Sequence, residues 1–152
     1  MKISVIIPTY KPGDYIWECL DSLKNQILKK SDFEIIIVLN GCCEPYYSSI
    51  RVYLEENLEG YNVKFIQTDT PGVSNARNVA LDNAEGEYVT FIDDDDYISE
   101  EYLSELHAHA APDTIALCYP CEFQDKTGRQ LSSPVTECYK KLSSKGKQAY
   151  GK

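Results

Sequence analysis

Apolar positions along this chain repeat with two periods. Short runs rich in Ile and Val at residues 2–8, 33–39, 63–67 and 87–92 have the length and β-branched content of buried strands. Between them apolar residues recur at helical spacing. Ile16, Cys19, Leu20, Leu23 and Ile27 mark one helix, with Asp14 as its expected N-cap. Tyr46, Ile50, Tyr53, Leu54 and Leu58 mark a second, closed by Gly60. A third is expected from Ser74, as N-cap, through Ala84, with Gly86 ending it. A fourth is expected to be capped by Ser99, with Glu100 and Glu101 in its first turn, where acids complement the helix dipole. Residues 114–123 read as a further strand and Asp125 to Gly128 as a turn, and periodicity beyond is weak.

Strands alternating with helices predict an α/β fold whose mostly parallel sheet is covered on both faces. In such sheets ligands bind beyond the carboxyl ends of the strands. Three polar loops fall there: Pro8-Thr9-Tyr10, Asn40-Gly41, and the run Asp93 to Asp96. The pattern alone therefore implies one shared site.

That acidic run needs a reason, because neighbouring carboxylates repel one another and Asp is a poor strand former. A hard divalent cation, Mg2+ or Mn2+, takes oxygen ligands and bridges one or two carboxylates to substrate phosphates. Asp93 and Asp95 would point the same way if strand geometry continued through the run. A solvated acidic turn capping the next helix is the simpler alternative. No glycine-rich phosphate loop is present, so a metal would carry the phosphate charge, with Arg77 either assisting or lying on the surface. His107 and His109 fall late in a helix and receive no catalytic role.

Composition narrows the classes. A length of 152 residues suits one domain, and a net charge of −9 argues against a nucleic-acid binder. No apolar run reaches the length of a membrane span, and the start lacks a signal peptide, so a cytoplasmic protein is expected. After Asp125 the balance reverses: Lys126, Arg129, Lys140, Lys141, Lys145, Lys147 and Lys152 face the single acid Glu137. Such a tail is either merely solvated or able to lie at the anionic inner face of a membrane. Among six cysteines, the adjacent Cys42-Cys43 and the pair Cys118 and Cys121 read as small hydrophobes rather than zinc ligands.

Taken together the motifs resemble the inverting, nucleotide-sugar-dependent family 2 glycosyltransferases of the GT-A (Rossmann-like) fold. The matching stretches are ISVIIPTY (3–10), CLDSLKNQ (19–26), DFEIIIV (32–38), PGVSNARNVALDNAEGEYVTFIDDDDYI (71–98) and DTIALCYPCEF…DKTG (113–128). The resemblance implies transfer of a sugar from a nucleotide-diphosphate donor, a UDP-sugar, to a hydroxyl of a glycan or lipid-linked acceptor in cell-surface polysaccharide synthesis. It implies that Pro8, Thr9 and Tyr10 line the nucleotide pocket and that Arg77 lies near the base or diphosphate. It implies a D-x-D element in Asp93 to Asp95, with Asp95 the direct Mn2+ or Mg2+ ligand, helped by Asp93, and Asp94 near the ribose.

Two departures stand out. Where the family carries an acid after its second strand, this chain has Leu39 and Asn40; Leu39 cannot accept a hydrogen bond, and Asn40 offers a partial substitute. The family's catalytic base lies in an acceptor-binding half that follows, and nothing around Glu137 looks like it. Residues 1–125 are thus expected to be the donor-binding core, and 126–152 the start of a truncated acceptor-side region whose loss opens strand edges to self-association. A non-catalytic nucleotide- and metal-binding module is the alternative. A flavodoxin- or receiver-like domain fits less well, because no phosphoacceptor arrangement surrounds the first strand. Nucleotidyl transfer would want a Gly- and Lys/Arg-rich first loop, and residues 8–13 hold only Lys11.

Overall fold

Four Ile- and Val-rich runs lie side by side in parallel register in the computed structural model, which describes residues 1–112, 115–116, 122–124 and 129–131. The elements are β1 (Ile3–Thr9), α1 (Tyr15–Lys24), β2 (Phe33–Asn40), α2 (Tyr46–Asn57), β3 (Asn62–Thr68), α3 (Val73–Asp82), β4 (Tyr88–Phe91), α4 (Tyr102–His109), β5 (Glu122–Gln124) and β6 (Arg129–Leu131). Sheet order is β3-β2-β1-β4. The chain divides into two compact units, residues 1–107 and 108–152. In the second, β5 and β6 pair antiparallel, with Gln124 opposite Arg129.

Period and burial agree in the first unit. Both central strands, β1 and β2, are buried at every position, as strands covered on two faces must be. Their alternate residues feed two cores. Ile3, Val5, Ile7, Phe33, Ile35, Ile37 and Leu39 pack with Ile16, Cys19, Leu20 and Leu23 of α1 and Ile50 of α2. Ile6, Ile36 and Val38 face Ala76 and Ala80 of α3. No helix among the described residues is long and apolar enough to cross a membrane.

A buried acid interrupts β2. Glu34 is fully buried, and its Oε1 accepts hydrogen bonds from Ser4 Oγ (2.6 Å) and from the Glu85 N–H (2.6 Å). Its Oε2 lies 2.9 Å from Lys64 Nζ of β3, which also reaches Glu85 Oε1 at 2.6 Å and donates to the Asn83 carbonyl. Ser4 Oγ in turn accepts the Gly86 N–H (2.8 Å). A Cβ on Gly86 would sit 2.5 Å from the Ser4 nitrogen, so only glycine lets the α3–β4 connection approach β1 this closely.

Several element ends differ from the periodicity. α1 stops at Lys24, and Ile27 is 63% exposed, because its N–H bonds the Glu100 carbonyl instead of continuing the helix. Asp14 occupies the N-cap of α1 but makes no side-chain capping bond. Ser74 is not a cap: Gly72, at φ 123°, holds the N-cap of α3 two residues earlier. Ser99 does not cap α4 through its side chain; its carbonyl accepts the Tyr102 N–H, and Glu100 and Glu101 precede the helix. Of the strand expected over 114–123, Ile115 and Ala116 lie outside any strand and Glu122 and Phe123 lie in β5, while 114 and 117–121 fall outside the described residues. The turn at 125–128, Cys118, Cys121 and the basic tail from residue 132 lie outside the described residues.

Candidate functional site

β1 has β2 on one side and β4 on the other, so the chain order reverses beside it. A crevice at such a reversal, beyond the strand ends, is where open α/β sheets bind ligands. It holds a cleft of about 560 Å³ lined by Pro8, Thr9 and Tyr10 after β1, Asn40 at the end of β2, Pro71 to Val73 before α3, and Asp93, Asp94 and Asp95 after β4. The three loops singled out by sequence thus meet in one place. Pro71, Gly72 and Val73 were missed as lining residues, although the Pro-Gly pair already marks a tight turn there.

A chain of hydrogen bonds runs along the base of the cleft. The Gly72 N–H donates to Asn40 Oδ1 (2.9 Å), Asn40 Nδ2 donates to the Thr9 carbonyl (2.7 Å), and Thr9 Oγ1 donates to Asp94 Oδ2. Thr9 is 1% and Asn40 3% exposed, so both support the cleft more than they face it. Leu39, the residue in place of the expected acid, is fully buried in the α1–α2 core. Tyr10 is half-exposed at the rim, with Lys11 Nζ 5.2 Å from its ring centre.

The aspartates do not continue the strand. β4 ends at Phe91, and the Asp96 N–H bonds the Asp93 carbonyl (3.1 Å), closing a turn. Alternation of Asp93 with Asp95 is therefore broken, because a turn redirects side chains that a strand would align. Arg77 Nη2 pairs with Asp93 Oδ1 at 3.1 Å, and its guanidinium lies over the Phe91 ring. Asp95 is exposed into the cleft and makes no hydrogen bond or ion pair with a described residue. Burial pushes the Asp94 carboxyl up against the lowering effect of the Thr9 hydrogen bond, and Asp95 and Asp93 add repulsion. Asp96 is raised by burial and by the same two neighbours.

α1 holds the segment that follows from beneath. Cys19 Sγ donates to the Asp93 carbonyl (3.7 Å), Ser22 Oγ accepts the Ile98 N–H (3.2 Å), and Gln26, just past the helix, bonds the Ser99 carbonyl and the Leu103 N–H. Burial drives the Cys19 thiol up to about 12, so it stays a protonated donor. Cys42 is partly buried and Cys43 exposed, while His107 packs edge-on against Tyr88.

The donor set suits a hard cation, since the lining offers the carboxylates of Asp93, Asp94 and Asp95 and no Cys or His. Among the described residues, however, no three His, Cys, Asp or Glu side chains gather to hold a metal alone. One or two carboxylates completed by ligand phosphates is the arrangement Mg2+ and Mn2+ commonly take.

A parallel sheet with an acidic cleft at its reversal point defines the class, an α/β domain with a crevice at its strand ends. The chain belongs to glycosyl transferase family 2, whose family model matches residues 4–149. It is 40% identical over 108 residues to the Staphylococcus aureus poly(ribitol-phosphate) beta-N-acetylglucosaminyltransferase TarS, covering 71% of this chain and 18% of that protein. It is 31% identical over 139 residues to the Bacillus subtilis putative glycosyltransferase EpsH, covering 90% of this chain and 39% of that one. It thus spans less than half the length of either relative. A crystal structure of S. aureus TarS with UDP-GlcNAc superposes with a TM-score of 0.61 at 41% identity, over 71% of this chain and 30% of that one. A Pyrobaculum calidifontis mannosyltransferase in complex with GDP-Man and Mn2+ gives 0.67 at 25% identity, over 73% and 33%. The GT-A α/β sandwich expected from the motifs is the fold observed.

Proposed function

We propose that this chain carries the donor-binding part of a glycosyltransferase that moves a sugar from a UDP-sugar to an acceptor hydroxyl in the assembly of a cell-surface polysaccharide. The observation that carries this reading is the cleft itself: residues from three separate strand ends converge where the resemblance puts nucleotide and diphosphate. The 41% identity to a transferase crystallised with UDP-GlcNAc supports the choice of UDP.

In this reading Pro8 and Tyr10 flank the nucleoside, and Asp94, oriented by Thr9, faces the ribose. Asp95 is the carboxylate free to take Mn2+ or Mg2+, and Asp93 joins it once released from Arg77. That release is inexpensive, because an exposed Arg–Asp pair is worth about 0–1 kcal/mol. Arg77 is then free to approach the diphosphate. A bound divalent cation would supply positive charge to the diphosphate as the sugar–phosphate bond breaks. A glycan or lipid-linked saccharide is the proposed acceptor.

Titration calorimetry of the chain with UDP, with and without Mn2+, tests the reading. Binding should strengthen with Mn2+, and Asp95→Ala should abolish at least about tenfold of that affinity, as loss of a metal ligand does. A folded wild-type chain that ignores UDP in both conditions defeats the proposal, and preference for GDP over UDP would reassign the donor.

A further inference from the structure

We propose that Asn40 and Thr9 are positioning residues, and that the hydrogen-bond chain Gly72–Asn40–Thr9–Asp94 sets the distance between the two walls of the donor cleft. The inference rests on the donor-binding reading above. Position 40 invites a different role: the resemblance makes Asn40 a partial substitute for the acid that contacts the nucleobase in the family, Leu39 standing in that acid's own place. The geometry assigns otherwise. Both ends of its amide are already used, Oδ1 by the Gly72 N–H and Nδ2 by the Thr9 carbonyl, and the residue is 3% exposed. With its Oδ1 and Nδ2 each engaged within the protein and only 3% of its surface exposed, the side chain offers little to a base.

What Asn40 does instead is bridge. On one side it holds the backbone of Gly72, the residue whose φ of 123° starts α3 and whose loop forms one wall. On the other it holds the carbonyl of Thr9, whose hydroxyl donates to Asp94 in the opposite wall. Asp94 sits among three other carboxylates, and burial and repulsion both work against its charged form. One neutral hydroxyl aimed at its Oδ2 fixes its rotamer without adding charge. Neutral groups that orient acidic site residues are the usual means of holding a cation site in register. Gly41 reinforces the arrangement: a Cβ there would lie 2.6 Å from Pro71 Cβ, so the β2 end and the Pro71 loop already touch.

An amide suits position 40 because it donates from one atom and accepts at another, and so reaches Thr9 and Gly72 at once. Asn40→Asp keeps the acceptor for Gly72 but loses the donor to Thr9 and adds a carboxylate beside the aspartates. Thr9→Val keeps the shape and burial of Thr9 but removes the donor to Asp94, and Thr9→Ser restores it.

UDP affinity of the full chain, measured by calorimetry in Mn2+ and in EDTA, separates the possibilities, with thermal melts to establish folding. Thr9→Val should weaken UDP binding about tenfold in Mn2+ and shrink the Mn2+ enhancement, whereas Thr9→Ser recovers most of it. A purely structural role would lower both affinities alike and leave the enhancement intact. Hydrogen exchange adds a readout that needs no ligand: the Gly72 amide should exchange at least about tenfold faster in Asn40→Ala, while core amides of β1 and β2 stay protected. Folded Thr9→Val and Asn40→Asp proteins that bind Mn2+–UDP like wild type, or an unchanged Gly72 exchange rate, overturn the inference and leave the donor reading standing. A wild-type chain that binds no UDP overturns the donor reading itself.

Discussion

Glu34 is a single buried carboxylate on which three strands and a connection converge. Burial pushes its pKa up, but hydrogen bonds from Ser4 and the Glu85 N–H, with the Lys64 ammonium, outweigh it, and the net displacement is downward from 4.5. A depressed folded-state pKa means stability that is complete above about pH 4.5 and is lost as the pH falls through the folded value. Glu34→Gln keeps the acceptor for Ser4 and Glu85 but sets an amide N–H2 against the Lys64 ammonium. We expect it to cost about 1–3 kcal/mol at neutral pH. Urea midpoints measured from pH 7 down to pH about 3 should show the gap between wild type and variant closing in acid. A gap that persists or widens there would contradict this account. None of this was legible in the sequence. A Glu within an Ile-rich run offers no sign of its partners, because Ser4, Lys64 and Glu85 come from three other places in the chain. Thr9, Tyr10 and Asp93 to Asp95 were legible, because a polar residue closing an apolar strand in an α/β pattern points at the ligand edge. The internal use of Asn40 was not, since it depends on where Gly72 lies.

At the scale of elements, α3 carries a face of small residues. Ala76 and Ala80 are fully buried against Ile6, Ile36 and Val38, which lets the helix approach β1 and β2 closely. Ala80→Leu forces extra methylenes into that contact and should destabilise by about 1–3 kcal/mol. The denaturant midpoint should fall at unchanged slope, and a neutral result would mean that α3 is free to shift away from the sheet. The four strands of the parallel sheet were read to within one residue at each end, because β-branched apolar runs bounded by polar turns mark them, whereas the strand expected over 114–123 was not borne out at Ile115 and Ala116. Helix ends were read less well, since tertiary bonds decide them. α1 stops where the 99–100 loop captures the backbone of Ile27, and α4 starts late because the segment before it is held by Ser22 and Gln26. No local signal encodes either contact. The broken alternation of the aspartates has the same origin, a turn closed by Asp93 and Asp96 that propensity does not foretell.

For the molecule as a whole, alternation of strands and helices implied a parallel sheet, but not the order β3-β2-β1-β4. That order carries a consequence for how the chain assembles in time. Ile3 meets Phe33 across one crossover and Tyr88 across three. Closing the longer segment costs about 1 kcal/mol more by the scaling of loop entropy with length. The β1–β2–β3 sheet with its helices is thus expected to form the nucleus, and β4 to dock after the main barrier. The test is a pair of stopped-flow series. Ile36→Val, in the central strand, should slow folding, whereas Ile92→Ala, whose N–H bonds the Ile6 carbonyl just beyond β4, should chiefly speed unfolding. The reverse pattern would make β4 an early partner. If the order holds, the aspartate loop acquires its shape last, and the cleft opens and closes with the least stable edge of the sheet. Ligand that joins Asp93 to Asp95 with Tyr10 would then slow escape from the native state far more than it speeds arrival.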